Sequence, residues 1–141
     1  MQNPLLIKNF VADAAIAAYR VVKIGAADGA VAQAAVVTDA LIGVAGPLGA
    51  AAAGDRIDIT VAGIADIEYG GAVSRGDLLT VDGQGRAVVA TRHTHTENTN
   101  ATYIQNATTA IANAGNRIIG VALKAGVLGD IGDVLLAPIW S

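Results

Sequence analysis

Short runs of alternating apolar and polar residues, separated by glycine-rich turns, follow one another along most of this chain. The clearest is RIDITVA at residues 56–62, where every second residue from Ile57 to Val61 is apolar and the intervening ones are polar. Such alternation predicts a strand with one face on a core and the other in water. The pattern therefore indicates a mainly β protein.

Further strands are predicted wherever similar runs lie between turn signals. The predicted strands cover residues 19–24, 34–38, 41–45, 56–62, 64–69, 78–81, 87–90, 118–123 and 134–139. Residues 82–85, Asp-Gly-Gln-Gly, join two of them and are a strong hairpin signal, because Asp-Gly tolerates positive φ. Together these segments predict a compact β-barrel or sandwich of short strands with glycine-rich turns.

One four-residue phrase occurs twice in the chain. Ile-Gly-Val-Ala stands at residues 42–45 and again at 119–122, each time followed by a glycine-rich connection, a Gly-Asp pair and an apolar run. We expect Gly43 and Gly120 to let the backbone approach a neighbouring strand closely or bend at a bulge. The phrase suggests an internal pseudo-repeat, over a stretch too short to establish gene duplication.

Gly-Asp pairs directly precede three of the apolar runs. In each pair we expect glycine to supply the dihedral angles of a turn and aspartate to bond back to turn amides. The predicted turn residues are Gly54, Asp55, Gly76, Asp77, Gly132 and Asp133. Residues 75–77 also spell the cell-adhesion tripeptide Arg-Gly-Asp, which the same turn chemistry explains.

The N-terminus departs from the strand pattern. Residues 1–10 are predicted to form an extended arm, because Pro4 blocks regular pairing nearby. Its apolar residues Leu5, Leu6 and Ile7 need burial, either on the protein's own core or on a partner. The sequence leaves both alternatives open.

A polar stretch interrupts the second half of the chain. Residues 91–116 are rich in Thr, Asn and His, and we interpret them as an insertion within a single β domain of residues 11–141. Within the insertion, residues 103–114 are compatible with a short helix. An insertion of this kind is a natural place for a contact surface.

Composition narrows the classes of function. The 141 residues fit one domain, and its apolar fraction of 53% with only 4% aromatics predicts a core of Val, Ile, Leu and Ala without the aromatic walls of a deep pocket. A net charge of −3 with nine scattered Lys and Arg argues against nucleic acid. The chain has no cysteine, which excludes disulfides and thiolate-bound metal, and neither a signal peptide nor a membrane span is evident.

Candidate catalytic and metal-binding groups are few. His93, His95 and Glu97 alternate and would share one strand face, where they could hold a metal, but no further ligand is spaced to help and a solvated loop is favoured. Asp66 and Glu68 likewise share a face, as an acid–base pair, a solvated face or an interface ion pair. The sequence predicts no enzyme, no metal and no other cofactor.

Several segments together resemble the small capsid cement, or decoration, proteins of tailed bacteriophages. They are Lys-Asn-Phe at 8–10, the VVKI strand, both IGVA phrases, and RGDLL at 75–79 followed by Asp-Gly at 82–83. The resemblance covers about residues 8–139 and departs at the insertion. It implies a β domain that forms a homotrimer on the outer capsid surface, at local three-fold positions, and staples neighbouring major capsid subunits.

The resemblance also implies an arm that contacts the capsid. The residues concerned are Pro4, Leu5, Leu6, Ile7, Lys8, Asn9 and Phe10. The expected partners are the major capsid protein and further copies of the chain, with no nucleic acid and no membrane, in a virion assembled from protein made in the host bacterial cytoplasm. The alternative is a ligand- or carbohydrate-binding β module of a phage fibre or surface structure, for which the few aromatic residues supply little platform.

Overall fold

Nine strands form one sheet in the part of the chain that the structure, a computed structural model, describes: residues 2–91 and 116–140. They are β1 (Asn3–Ala12), β2 (Val21–Ile24), β3 (Ala30–Gln33), β4 (Leu41–Ala45), β5 (Arg56–Glu68), β6 (Leu78–Val81), β7 (Ala87–Val89), β8 (Arg117–Ala122) and β9 (Ile131–Trp140). The predicted mainly β class is confirmed. A helix able to span a membrane does not occur among these residues, and the predicted helix at 103–114 lies outside them.

The sheet consists of two rings of strands that share β5. The strand order is β1-β3-β2-β4-β5-β9-β8-β6-β7, and a further antiparallel pairing of β1 with β5 closes the first five strands into a ring. A parallel bridge between Tyr69 and Ala87 brings the end of β5 to β7, and it nearly closes a second ring made of β5 and the other four strands. The result is a compact β fold that is not a single regular barrel.

The two rings repeat the same connections. The β4–β5 pair in the first ring corresponds to β8–β9 in the second, and the first strand of each pair ends with the Ile-Gly-Val-Ala phrase. Four corner loops join the strands, at residues 13–20, 46–55, 69–77 and 123–130. They bridge in pairs, through Ile16 and Ala50 in the first ring and through Val73 and Gly126 in the second. The doubled phrase therefore marks an internal structural repeat.

Three of the four corner loops end in the same Gly-Asp turn. Gly54, Gly76 and Gly129 each have φ +88°, a conformation that L side chains rarely adopt. In each turn the glycine N–H and the following aspartate's carbonyl bond to a single residue of a facing segment. The aspartate carboxylate also accepts backbone N–H groups of its own loop. These bonds fix how each corner loop enters the next strand.

The predicted turn at Gly132 and Asp133 is wrong. Both residues lie inside β9, paired with β5, and the turn is formed three residues earlier, at 129–130. The reason for glycine at 132 is the fully buried ring of Tyr69, which a Cβ at this position would overlap. Glycine is required at position 132 because the Tyr69 side chain occupies the space of a Cβ, and not because of turn geometry.

The predicted strand at 34–38 is also wrong. The strand lies earlier, at Ala30–Gln33, because the backbone N–H groups of Ala35 and Val36 both donate to the carboxylate of Asp39 at 2.9 Å. These two bonds fold the segment into a turn, so its apolar residues do not pair as a strand.

The segments predicted at 56–62 and 64–69 form one strand, β5. Gly63 joins them with φ +97°, and a Cβ on Gly63 would lie only 2.5 Å from the backbone nitrogen of Leu5. The glycine therefore allows β1 to approach β5 closely at an irregular point of their register. This long strand gives the two rings a common member.

Gly43 and Gly120, the glycines of the repeated phrase, lie in β4 and β8. A Cβ on Gly43 would overlap the carbonyl oxygen of Thr60, and one on Gly120 would overlap that of Leu135. The strand register shifts beside both glycines. Close approach and a bulge thus occur together at each position.

Asp82 accepts hydrogen bonds that fix the β6–β7 turn, and its lowered pKa makes the stability of the fold depend on pH. Partial burial opposes its ionisation, but the backbone N–H groups of Gln84 and Arg86 and the Arg86 guanidinium at 2.8 Å outweigh it, so the pKa lies below the usual 3.8. A carboxyl with a depressed folded-state pKa adds stability above its unfolded pKa of about 4 and loses it as pH falls through the folded pKa.

We therefore expect Asp82→Asn to melt below the native protein at pH 7 and the difference to shrink as pH falls below about 4. Thermal melting of both proteins from pH 7 to pH 2 measures this. A difference that stays constant over that range would contradict the assignment.

Candidate functional site

The backbone of the predicted arm is part of the sheet. β1 pairs antiparallel with β5 from Asn3, opposite Ile64, to Val11, opposite Arg56, and its last two residues also pair parallel with β3. Of the two alternatives left open by the sequence, the structure places the arm backbone on the protein's own sheet. The arm is therefore held in place before any partner arrives.

The apolar side chains of the arm nevertheless face outward. Leu5, Leu6 and Ile7 are 83%, 55% and 51% exposed. Side chains of a regular strand alternate between two faces, but the β1–β5 register shifts on either side of Leu6, and such irregularities turn neighbouring side chains away from strict alternation. We call these three residues the arm patch. The side chains of the arm patch are therefore not buried on the protein's own core.

The remaining predicted arm residues anchor the strand. Phe10 packs against the smaller of the two core clusters, and the Lys8 ammonium lies 4.8 Å from the centre of its ring. Asn9 donates to a carboxylate oxygen of Asp58 at 3.1 Å and accepts a hydrogen bond from the Arg56 guanidinium at 3.2 Å. Positions 8–10 thus support the arm patch from its C-terminal side.

A second apolar surface, which we call the sheet row, crosses four strands beside the arm. Its members are directly opposed on neighbouring strands and therefore share one face of the sheet. They are Ile64 on β5, Leu135 on β9, Val121 on β8 and Leu78 on β6. Leu135 is 44% and Leu78 is 49% exposed. Sequence reasoning missed this row, because both leucines stand in apolar runs whose outward face is set by pairing.

Two carboxylates lie two residues beyond the sheet row. Asp66 and Asp133 are directly opposed on β5 and β9. Partial burial and the hydrogen bond with Asp133 raise the pKa of Asp66 above its usual value. Glu68 forms an ion pair with the Arg20 guanidinium at 2.9 Å. Asp66 and Glu68, which the sequence places on one strand face, therefore have different partners in the structure.

The remaining candidate groups are the set His93, His95 and Glu97 and the Arg-Gly-Asp tripeptide. His93, His95 and Glu97 lie outside the described residues, and within residues 2–91 and 116–140 no three His, Cys, Asp or Glu side chains are grouped to hold a metal. The Arg-Gly-Asp tripeptide is a corner-loop turn, in which the Asp77 carboxylate accepts the Ser74 N–H at 2.9 Å.

A solved phage structure shares this fold. The chain is similar to the head fiber gp8.5 N base in bacteriophage phi29, with a TM-score of 0.56 and 18% sequence identity over 94% of this chain and 93% of that chain. At this identity the likeness concerns the fold alone. None of the curated proteins matches the chain.

The family is shown by sequence. The family model described as phage cement protein matches residues 5–126, which include the arm patch, both Ile-Gly-Val-Ala phrases and three of the four corner loops in full. The match covers far more than half of the 141 residues. This chain belongs to the phage cement protein family and is a phage structural protein.

Proposed function

We propose that this protein is a non-enzymatic capsid decoration protein, which binds the outer surface of a phage head as a trimer and stabilises contacts between major capsid subunits. The observation that carries the proposal is the arm patch: three consecutive apolar side chains exposed on a strand whose backbone is already bonded to its own sheet. Such a surface is ordered in advance, so binding costs little conformational entropy. It suits an apolar contact on another protein.

The sheet row supports the trimer. A lone chain would leave Leu135 and Leu78 in water, beside the half-buried Val121 and Ile64. Symmetric assembly is the common way for a soluble protein to cover such a surface. The arm patch would then meet the head and the sheet row a neighbouring copy.

The proposal is tested by mixing purified protein with undecorated heads, sedimenting them, and heating heads with and without the protein. We expect saturable co-sedimentation in multiples of three chains per site and a higher disruption temperature for the decorated heads. Analytical ultracentrifugation of the free protein tests the trimer. Absence of co-sedimentation at micromolar protein would contradict the proposal, and a saturating number that is not a multiple of three would contradict the trimer.

A further inference from the structure

The internal repeat gives each corner loop a reference for comparison. Loops 13–20 and 123–130 have eight residues and loop 69–77 has nine, whereas 46–55 has ten. The longer loop contains Gly-Pro-Leu-Gly at 46–49, and its Leu48 is 95% exposed, more than any other large apolar side chain of the described residues. The loop that departs from the repeat in length is thus also the loop that contains the exposed Leu48.

A second departure from the repeat lies beside the first. The position that holds glycine at φ +88° in three corner loops is occupied in loop 13–20 by Tyr19, a non-glycine residue at φ +59°. This conformation is costly for a residue with a side chain. The Tyr19 N–H points to the carbonyl of Gly46, at 3.4 Å. The unusual residue of loop 13–20 therefore contacts the longer loop 46–55.

Backbone contacts at its base hold loop 46–49 in one conformation. Gly49 has φ +57°, and a Cβ on it would overlap the carbonyl oxygen of Ile16. Ile16 and Ala50 exchange backbone hydrogen bonds of 2.9 and 2.8 Å. Leu48 therefore projects from a loop base with fixed contacts, which is the arrangement of a preformed binding anchor.

A groove opens beside Leu48 and leads toward the arm. Its volume is about 250 Å³, and loop 46–49 forms one wall while Asn9, Arg56, Ile57 and Asp58 form the other. Asn9 lies two residues after Ile7 on β1, a distance of roughly 7 Å along a strand. The arm patch, the groove and Leu48 are thus neighbours on the first ring.

The arm patch alone is too small for a specific protein interface. One leucine side chain offers on the order of 100 Å² of apolar surface. Three fall well short of the roughly 800 Å² per partner that a specific protein interface covers. A partner seated on the arm patch must therefore cover neighbouring surface, and the groove is continuous with it.

We propose that the capsid-binding surface of this chain extends from the arm patch to loop 46–49, where Leu48 inserts into an apolar pocket of the same head subunit. The inference rests on the proposed function and names a second anchor for it. Because Leu48 contributes almost no burial to the free fold, its replacement separates binding from stability.

The test compares Leu48→Ser with Leu128→Ser, which changes an exposed leucine in the corresponding corner loop of the second ring. Binding to undecorated heads is measured by quantitative co-sedimentation, folding by thermal melting, and assembly by analytical ultracentrifugation. We expect Leu48→Ser to weaken head binding about tenfold or more, with unchanged melting and assembly. Leu128→Ser should bind as the native chain does.

Each other outcome overturns the inference. Native-like binding by Leu48→Ser would remove loop 46–49 from the interface, and the proposed function would stand if native protein still saturates the heads. A loss of trimer without weaker binding per trimer would assign Leu48 to a second copy of the chain. Equal weakening by both variants would show that the effect is not specific to this loop.

Discussion

A chain carrying Leu5→Thr, Leu6→Thr and Ile7→Thr is expected to fold normally and to bind undecorated heads at least about a hundredfold more weakly than the native chain. Each apolar side chain buried on the head contributes roughly 1.5–3 kcal/mol, and a tenfold change in affinity corresponds to about 1.4 kcal/mol. The free protein loses little, since these side chains are exposed. Threonine is β-branched and favours strands, so the replacements are compatible with β1.

Co-sedimentation titrations and thermal melting of the same preparations check this expectation. A matched control is Ile24→Thr with Val36→Thr, because both side chains are about as exposed as Leu6 and Ile7 but belong to β2 and to the turn after β3. Native affinity in the arm variant would remove the arm patch from the interface. A collapsed melting temperature would place its side chains in the protein's own core.

Deleting residues 1–7 is a less discriminating experiment than the sequence suggests. Sequence reasoning predicts a folded protein with weakened attachment. In the structure the deletion also removes the pairing of β1 with residues Thr60 to Ile64 of β5 and exposes a strand edge. We expect both the melting temperature and head binding to fall, which is why side-chain variants separate the two roles better.

Gly120→Ala is expected to cause the largest loss of stability among single substitutions at the repeated phrase. The added Cβ would overlap the carbonyl oxygen of Leu135, a backbone atom of the neighbouring β9 that cannot rotate away. Overpacking of this kind costs about 3 kcal/mol, which corresponds to a melting temperature lower by roughly 10 °C in a chain of this size.

Gly83→Ala is the control for that substitution. A Cβ on Gly83 meets nothing within 4 Å, and its φ is not in the left-handed region. Differential scanning calorimetry of both variants is the measurement, with the control expected within about 2 °C of the native protein. Equal melting of the two variants would show that β8 can move away from β9 at little cost.

Local features of this fold could be predicted from the amino-acid sequence. Alternation and turn residues predicted β4 at 41–45 and β6 at 78–81 with the bounds that the structure has. The repeated phrase indicated the internal repeat, and the Gly-Asp pairs at 54–55 and 76–77 indicated turns. These features follow from the strand period and from backbone conformations of adjacent residues, so they can be read over a few positions.

The exposed surfaces, in contrast, depend on tertiary contacts. Alternation would bury part of the sequence Leu5-Leu6-Ile7, but the irregular pairing of β1 with β5 turns all three outward. Gly132 was read as a turn residue, whereas the ring of Tyr69, distant in the chain, requires it. The outward face of Leu135 and the exposure of Leu48 likewise depend on strand pairing and loop support. Such properties arise from contacts between segments far apart in sequence, which a local pattern does not contain.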